Sequence, residues 1–341
     1  MKNYIRIGVD LGKGFFQVHA LESEAGTAVN RKISRGKFLA FFSGVSPSRV
    51  GMEACGSAHY WAREIAKLGH EVVLVAPAYI KPYVKRGKND AVDAEAICEA
   101  MSRPSMRFVP VKSAEQQAVL MLHKDRELLI KQRTMSVNAL RGHMAEFGVV
   151  VAKGIEKVDQ LLALAREDAS VPELTKQAVE LSASRLKDLD DAIAATEAAI
   201  DAASAKNPNS RLLDEAPGIG PLVASAVVAS VPAPSVFKSG RDFSAWVGLT
   251  PGQNSSGGKE KLGPITKKGN RYIRRLLVLG ATSILKVAHL RKGALADWIN
   301  AIAAKKPKKL AAVAVANKLA RICWAMLSTG ECFRKDTYAK I

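Results

Sequence analysis

Two periodicities divide the chain. Through the first hundred residues apolar positions recur two apart or in short runs between turn residues, which predicts strands at 4–9, 15–21, 28–33, 49–53 and 71–75. Helical spacing fills the intervals and predicts helices at 37–43, 57–68 and 91–101. An opening hairpin, a third strand and then strand–helix units predict a mixed α/β sheet. Residues 77–89 carry Lys81, Lys85, Arg86 and Lys88 and are expected to form a mobile basic loop.

From Ser113 to about Ala205 the pattern changes. Glycine is sparse, and Leu120, Leu128, Leu129, Leu140, Leu181, Leu186, Leu189 and Ile193 fall at helical spacing. Long helices paired as an antiparallel coiled coil or bundle are expected, either as a scaffold or with a basic face (Arg126, Lys131, Arg133, Arg141) along a phosphate backbone. The turn Asn207–Pro208–Asn209–Ser210 starts a third region. There, helix, Pro217–Gly218–Ile219–Gly220 and an Ala/Val-rich helix to Val231 form a helix–hairpin–helix-like pattern. Its glycines suit either phosphate approach or close packing.

The 341 residues suffice for two or more domains. A net charge of +19 points to nucleic acid, or less commonly to an anionic membrane. No apolar stretch of membrane-spanning length and no signal peptide stands out, so a cytoplasmic protein is expected. Cys55, Cys98, Cys323 and Cys332 are scattered, as are the six histidines, and neither set has zinc-ligand spacing.

Two constellations carry chemistry. Asp10 ends the first apolar run, Glu53 ends a later one, and Asp90 and Asp93 lie three apart at a helix start. Singly each reads as a surface charge. Jointly, carboxylates at two strand ends and one helix start can converge on divalent metal, whose hard-ion chemistry suits phosphodiester cleavage. Glu95 and Glu99 read as solvated helix positions. The second constellation is Gly248–Leu249–Thr250–Pro251, then Ser255–Ser256–Gly257–Gly258–Lys259, leading into Lys261, Lys267, Lys268, Arg271, Arg274 and Arg275. It reads either as a Gly/Ser linker beside a DNA-binding basic helix or as a serine nucleophile flanked by cations for phosphoryl transfer.

In order along the chain, Ile7–Gly8–Val9–Asp10, Met52–Glu53–Ala54–Cys55–Gly56, Lys88–Asn89–Asp90–Ala91–Val92–Asp93–Ala94, Pro217–Gly218–Ile219–Gly220 and the Gly248–Lys259 stretch resemble one group. This is the DEDD-type insertion-sequence transposases, the bridge-RNA-guided serine recombinases that include the Piv-type DNA invertases. The resemblance spans roughly residues 4 to 330. It implies a ribonuclease-H-like (RuvC-like) α/β domain over 1–110, a coiled-coil dimerisation region over 111–206, and a mostly α-helical C-terminal transposase domain over 207–341. It further implies that Asp10, Glu53, Asp90 and Asp93 bind Mg²⁺, with Mn²⁺ able to substitute, and that a serine forms a 5′-phosphoserine bond with DNA. The family pattern selects Ser256, directly before glycine and five residues after Pro251; Ser255 is the alternative. Donor and target double-stranded DNA, a noncoding guide RNA, and homodimers assembling to a homotetramer with a composite active site are the implied partners, in the cytoplasm of a prokaryote at the nucleoid. Lys85, Arg86, Lys88, Lys259, Lys261, Lys267, Lys268, Arg271, Arg274 and Arg275 are the expected nucleic-acid contacts.

Three alternatives compete: a metal-dependent junction nuclease without a covalent intermediate, an actin-like kinase, and a non-catalytic nucleic-acid-binding protein. Asp10–Leu11–Gly12 would fit the kinase, yet no second Asp-Gly phosphate motif follows in strand context.

Overall fold

Six strands pair into one mixed sheet in the order β3-β2-β1-β4-β5-β6. They are β1 (Arg6–Leu11), β2 (Phe15–Leu21), β3 (Ala28–Ser34), β4 (Arg49–Glu53), β5 (Glu71–Val75) and the short β6 (Phe108–Val109). The first three form an antiparallel meander; β4 and β5 add in parallel to β1; β6 closes the edge antiparallel to β5. The computed structural model describes residues 2–23, 28–84, 89–255 and 261–334. The chain divides into two compact units, Met1–Gln117 with Val231–Val236, and Ala118–Ser230 with Phe237–Ile341.

Helices α1 (Phe38–Ser43), α2 (Ala58–Lys67), α3 (Pro77–Ile80) and α4 (Asp90–Ala100) complete the first unit's sheet layers. Phe16, Phe38, Phe42 and Trp61 meet edge-on, and this aromatic cluster fixes α1 and α2 against the meander. The strands fall where alternation placed them. The basic loop expected over 77–89 is instead helical at its start, because Pro77 presets the first turn and Ile80 is buried. β6 went unpredicted; two residues carry no period.

In the second unit α5 (Ala114–Ala145) and α7 (Glu173–Lys206) run antiparallel, shown by the ion pairs Arg126–Glu197 and Arg133–Asp190. Val179, Leu186, Ile193 and Ile200 are buried at seven-residue intervals along α7. The leucine pattern misassigned two positions, since Leu128 is 50 % and Leu181 68 % exposed. Of the buried seam, Leu186 and Ile193 belong to that series, while Val179 and Ile200 lie outside it. Helix α6 (Val158–Glu167) packs over one end of the pair through Leu161, Leu162 and Ala165.

The C-terminal region is mostly helical. It comprises α8 (Pro208–Asp214), α9 (Pro221–Ser230), α10 (Gly240–Val247), a hairpin of β7 (Pro251–Gln253) and β8 (Leu262–Ile265), α11 (Arg271–Val287), α12 (Ala294–Lys305) and α13 (Lys308–Thr329). α13 corrects the expectation that no apolar stretch is long enough to cross a membrane: by length and composition it passes. Yet Ala312, Val315, Leu319, Ile322 and Met326 are buried, the arrangement of a core helix.

The turn between α8 and α9 separates the duties of its two glycines. Gly218 has φ +79°, and a side chain there would meet Ile284 of α11; the facing Gly280 likewise leaves room only for the Gly218 carbonyl. Close packing therefore accounts for Gly218. Gly220 is exposed, with open space around its α-carbon, at the start of α9.

Candidate active site

Two glycines place the acidic residues. A methyl group on Gly8 would run into the Ala94 carbonyl and lie 2.7 Å from the Cys98 amide nitrogen; one on Gly51 would lie 2.6 Å from the Met101 sulfur. Only bare backbone in β1 and β4 lets α4 lie this close. In parallel register Val9 faces Met52, so Asp10 and Glu53 follow side by side at the carboxyl ends of neighbouring strands. Asn89 caps α4 by accepting the Ala91 amide at 3.0 Å, which puts Asp90 and Asp93 in its first turn, near the positive end of the helix dipole.

The four carboxylates feel one another. Burial first, and then the charges of Asp93, Asp90 and Glu53 in that order of effect, together raise the Asp10 pKa to about 6. Glu53 is likewise raised, by burial first and then by Asp93. Among the described residues no three His, Cys, Asp or Glu side chains are close enough to enclose an ion. The set gathers without closing on a point. Its all-oxygen donors and uncompensated negative charge fit a hard divalent ion such as Mg²⁺ or Mn²⁺.

The second constellation lies in the second unit. Ser255 is exposed at the tip side of the β7–β8 hairpin, where its hydroxyl accepts the Lys261 amide at 3.2 Å. Ser256 and Lys259 lie outside the described residues, as do Lys85, Arg86 and Lys88. Lys261, Lys267, Lys268 and Arg271 are exposed. The other two arginines of α11 have intramolecular partners: Arg274 is half-buried and donates to the Val247 carbonyl at 2.7 Å, and Arg275 pairs with Glu127 at 3.2 Å.

Three groups escaped the sequence pattern. His123 is buried between Tyr272 (2.9 Å) and Ser225 (3.1 Å). The Ser225 hydroxyl donates to the Pro221 carbonyl at 2.7 Å, so it accepts from His123 Nε2–H, leaving Nδ1 to accept from Tyr272. His59 Nδ1 accepts the Lys112 amide at 3.2 Å, and its Nε2 lies 3.1 Å from the Lys112 Nζ. Asn317 of α13 donates to the Leu249 carbonyl at 3.2 Å. Separations of 53 to 149 residues hide all three from any local period.

Comparison with known proteins covers both constellations. A DEDD transposase profile of the IS110 type matches residues 7–148, which hold all four acidic residues. A profile described as the transposase IS116/IS110/IS902 family matches residues 210–294, which hold the hairpin and α11. A putative transposase of Sinorhizobium fredii is 45 % identical over 98 % of this chain and 87 % of its own length. A probable family 20 transposase of Pseudomonas aeruginosa is 44 % identical over 97 % and 99 %. The transposase for insertion sequence element IS1328 of Yersinia enterocolitica is 37 % identical over 98 % and 100 %.

Proposed function

The chain belongs to the IS116/IS110/IS902 family of insertion-sequence transposases, and from that premise we propose that it cuts and rejoins DNA through a serine-linked intermediate. The observation that carries the metal half of this reading is the gathering of Asp10, Glu53, Asp90 and Asp93 where α4 crosses β1 and β4. These four residues would hold Mg²⁺ or Mn²⁺. A divalent ion there supplies charge neutralisation at the phosphate.

The protein's own groups do the rest. The Ser256 hydroxyl, with Ser255 as the alternative, attacks the phosphorus of one strand. An Oγ–P bond forms, the P–O3′ bond breaks, the serine proton leaves to a base, and the departing 3′ oxygen takes up a proton. Attack by another 3′-hydroxyl on the phosphoserine then restores the phosphodiester and frees the serine. Lys261, Lys267, Lys268 and Arg271 supply exposed positive charge beside the hairpin for the phosphate backbone. Lys85, Arg86, Lys88 and Lys259 are proposed for the same task on sequence alone. A guide RNA, coiled-coil dimers and a tetramer with acidic and serine residues from different subunits complete the reading, on family resemblance.

Trapping tests it. The purified protein with its copurified RNA, Mg²⁺ and the DNA flanking its reading frame should yield a covalent adduct, and digestion should leave a nucleotide on Ser256. Ser256→Ala should abolish the adduct. Free DNA ends without an adduct would support the nuclease reading instead. Ribonuclease treatment that leaves recombination unchanged would remove the RNA from the scheme.

A further inference from the structure

The serine hairpin cannot aim itself. β7 and β8 together bury almost nothing, and an isolated two-stranded hairpin is marginal in water. Its direction must come from its root, and the root is held at four consecutive carbonyls. Arg274 Nη1 donates to Val247 at 2.7 Å and Asn317 Nδ2 to Leu249 at 3.2 Å. Between and beyond them, the Lys267 amide donates to Gly248 at 3.2 Å and the Thr266 amide to Thr250 at 2.9 Å.

The local backbone is unusual in the same place. Gly248 ends α10 with φ +82°, and a methyl group there would lie 2.8 Å from Arg274 Nη1. Lys267, opposite it, has φ +53°, the one non-glycine residue with positive φ among the described residues. Such a conformation persists only where its surroundings over-determine it. Two side chains from separate helices, α11 and α13, therefore fix the segment that feeds the hairpin. Arg274 differs here from Arg271, which is exposed.

We propose that Arg274 and Asn317 are positioning residues that clamp the root of the hairpin, so that its serine meets the phosphate in a fixed direction, and that Arg274 serves this role rather than binding phosphate. The proposal rests on the serine reading above. The test uses the full-length protein as Arg274→Met and Asn317→Leu, each near its parent in volume, beside Arg271→Ala. Three quantities are read: amide hydrogen exchange across the hairpin, DNA affinity over a salt series, and the rate of adduct formation.

Arg274→Met and Asn317→Leu should speed exchange in the hairpin while α11 and α13 keep their protection. Adduct formation should slow about 100-fold, the usual effect of a misplacement near 1 Å. DNA affinity and its salt slope should match wild type. If Arg274→Met does not fold, Arg274→Lys, which keeps a cationic donor, should retain hairpin protection and most of the rate. A salt slope reduced by about 0.9 in Arg274→Met, with exchange unchanged, would make Arg274 a phosphate ligand and overturn the proposal. So would faster exchange with an unchanged adduct rate. Absence of any adduct in the wild type would sink the serine reading separately, and the exchange arm would still decide whether the two side chains root the hairpin.

Discussion

Replacing Asp10 by asparagine should stabilise the metal-free protein and abolish strand cleavage. Asparagine keeps the shape and can still accept the Leu11 amide, but it removes a charge that burial and three neighbouring carboxylates oppose. The Asp10 pKa rises from 3.8 to about 6 in the fold. At about 1.4 kcal/mol per tenfold change in proton affinity, this corresponds to roughly 3 kcal/mol. Asp10 is half-exposed, so solvent screening reduces it to about 1.5 kcal/mol. The direction follows from the raised value. The folded state holds its proton more tightly than the unfolded chain, so this contribution is fully present below pH 3.8 and lost as pH rises through about 6. Urea unfolding in chelator at pH 7.5 should show Asp10→Asn more stable than wild type, with the difference vanishing near pH 4. Saturating Mg²⁺ should reverse the order, because only the wild type has the full ligand set. An asparagine variant less stable than wild type in chelator at pH 7.5 would refute the claim that the four charges repel across one site.

Other expectations follow from the same geometry. Gly8→Ala should push α4 off β1 by driving a methyl group against Ala94 and Cys98, costing about 2–3 kcal/mol by overpacking and weakening Mn²⁺ binding in a titration. Burial, then Arg126 and Lys124, lower the His123 pKa to about 4 from 6.5, so its neutral form favours folding above pH 6.5 and that contribution is lost as pH falls through about 4. Urea unfolding of wild type against His123→Gln should show this as about 3 kcal/mol of differential pH dependence between those limits. Arg271→Ala should weaken DNA binding uniformly across sequences and flatten the salt dependence by about 0.9 in log–log slope, read by filter binding.

The sheet apart from β6 was legible because each of its other strands sits in its own local pattern, and so was the pair Asp90 and Asp93, because spacing of three at a capped helix start fixes a shared face. What brings that helix to Asp10 and Glu53 was not. Gly8 and Gly51 look like ordinary strand glycines until α4 lies across them, and that crossing is a tertiary fact. Gly218 is ambiguous in sequence, suiting either phosphate approach or close packing, and the fold decides it: there it makes room for α11.

The basic stretch after the hairpin shows why charge is the weakest guide to role. Arg271, Arg274 and Arg275 are equivalent in a charge count, yet one faces solvent, one holds the Val247 carbonyl and one pairs with Glu127. Helical spacing does not make this division, since Arg274 and Arg275 follow Arg271 by three and four residues. Partners distant in sequence make it: Glu127 on α5, and the end of α10. The Asn317 bond to Leu249 spans 68 residues, so no window around the serine could reveal it. A motif of this kind therefore offers a candidate nucleophile, while the residues proposed to aim it must be read from the carbonyls they hold.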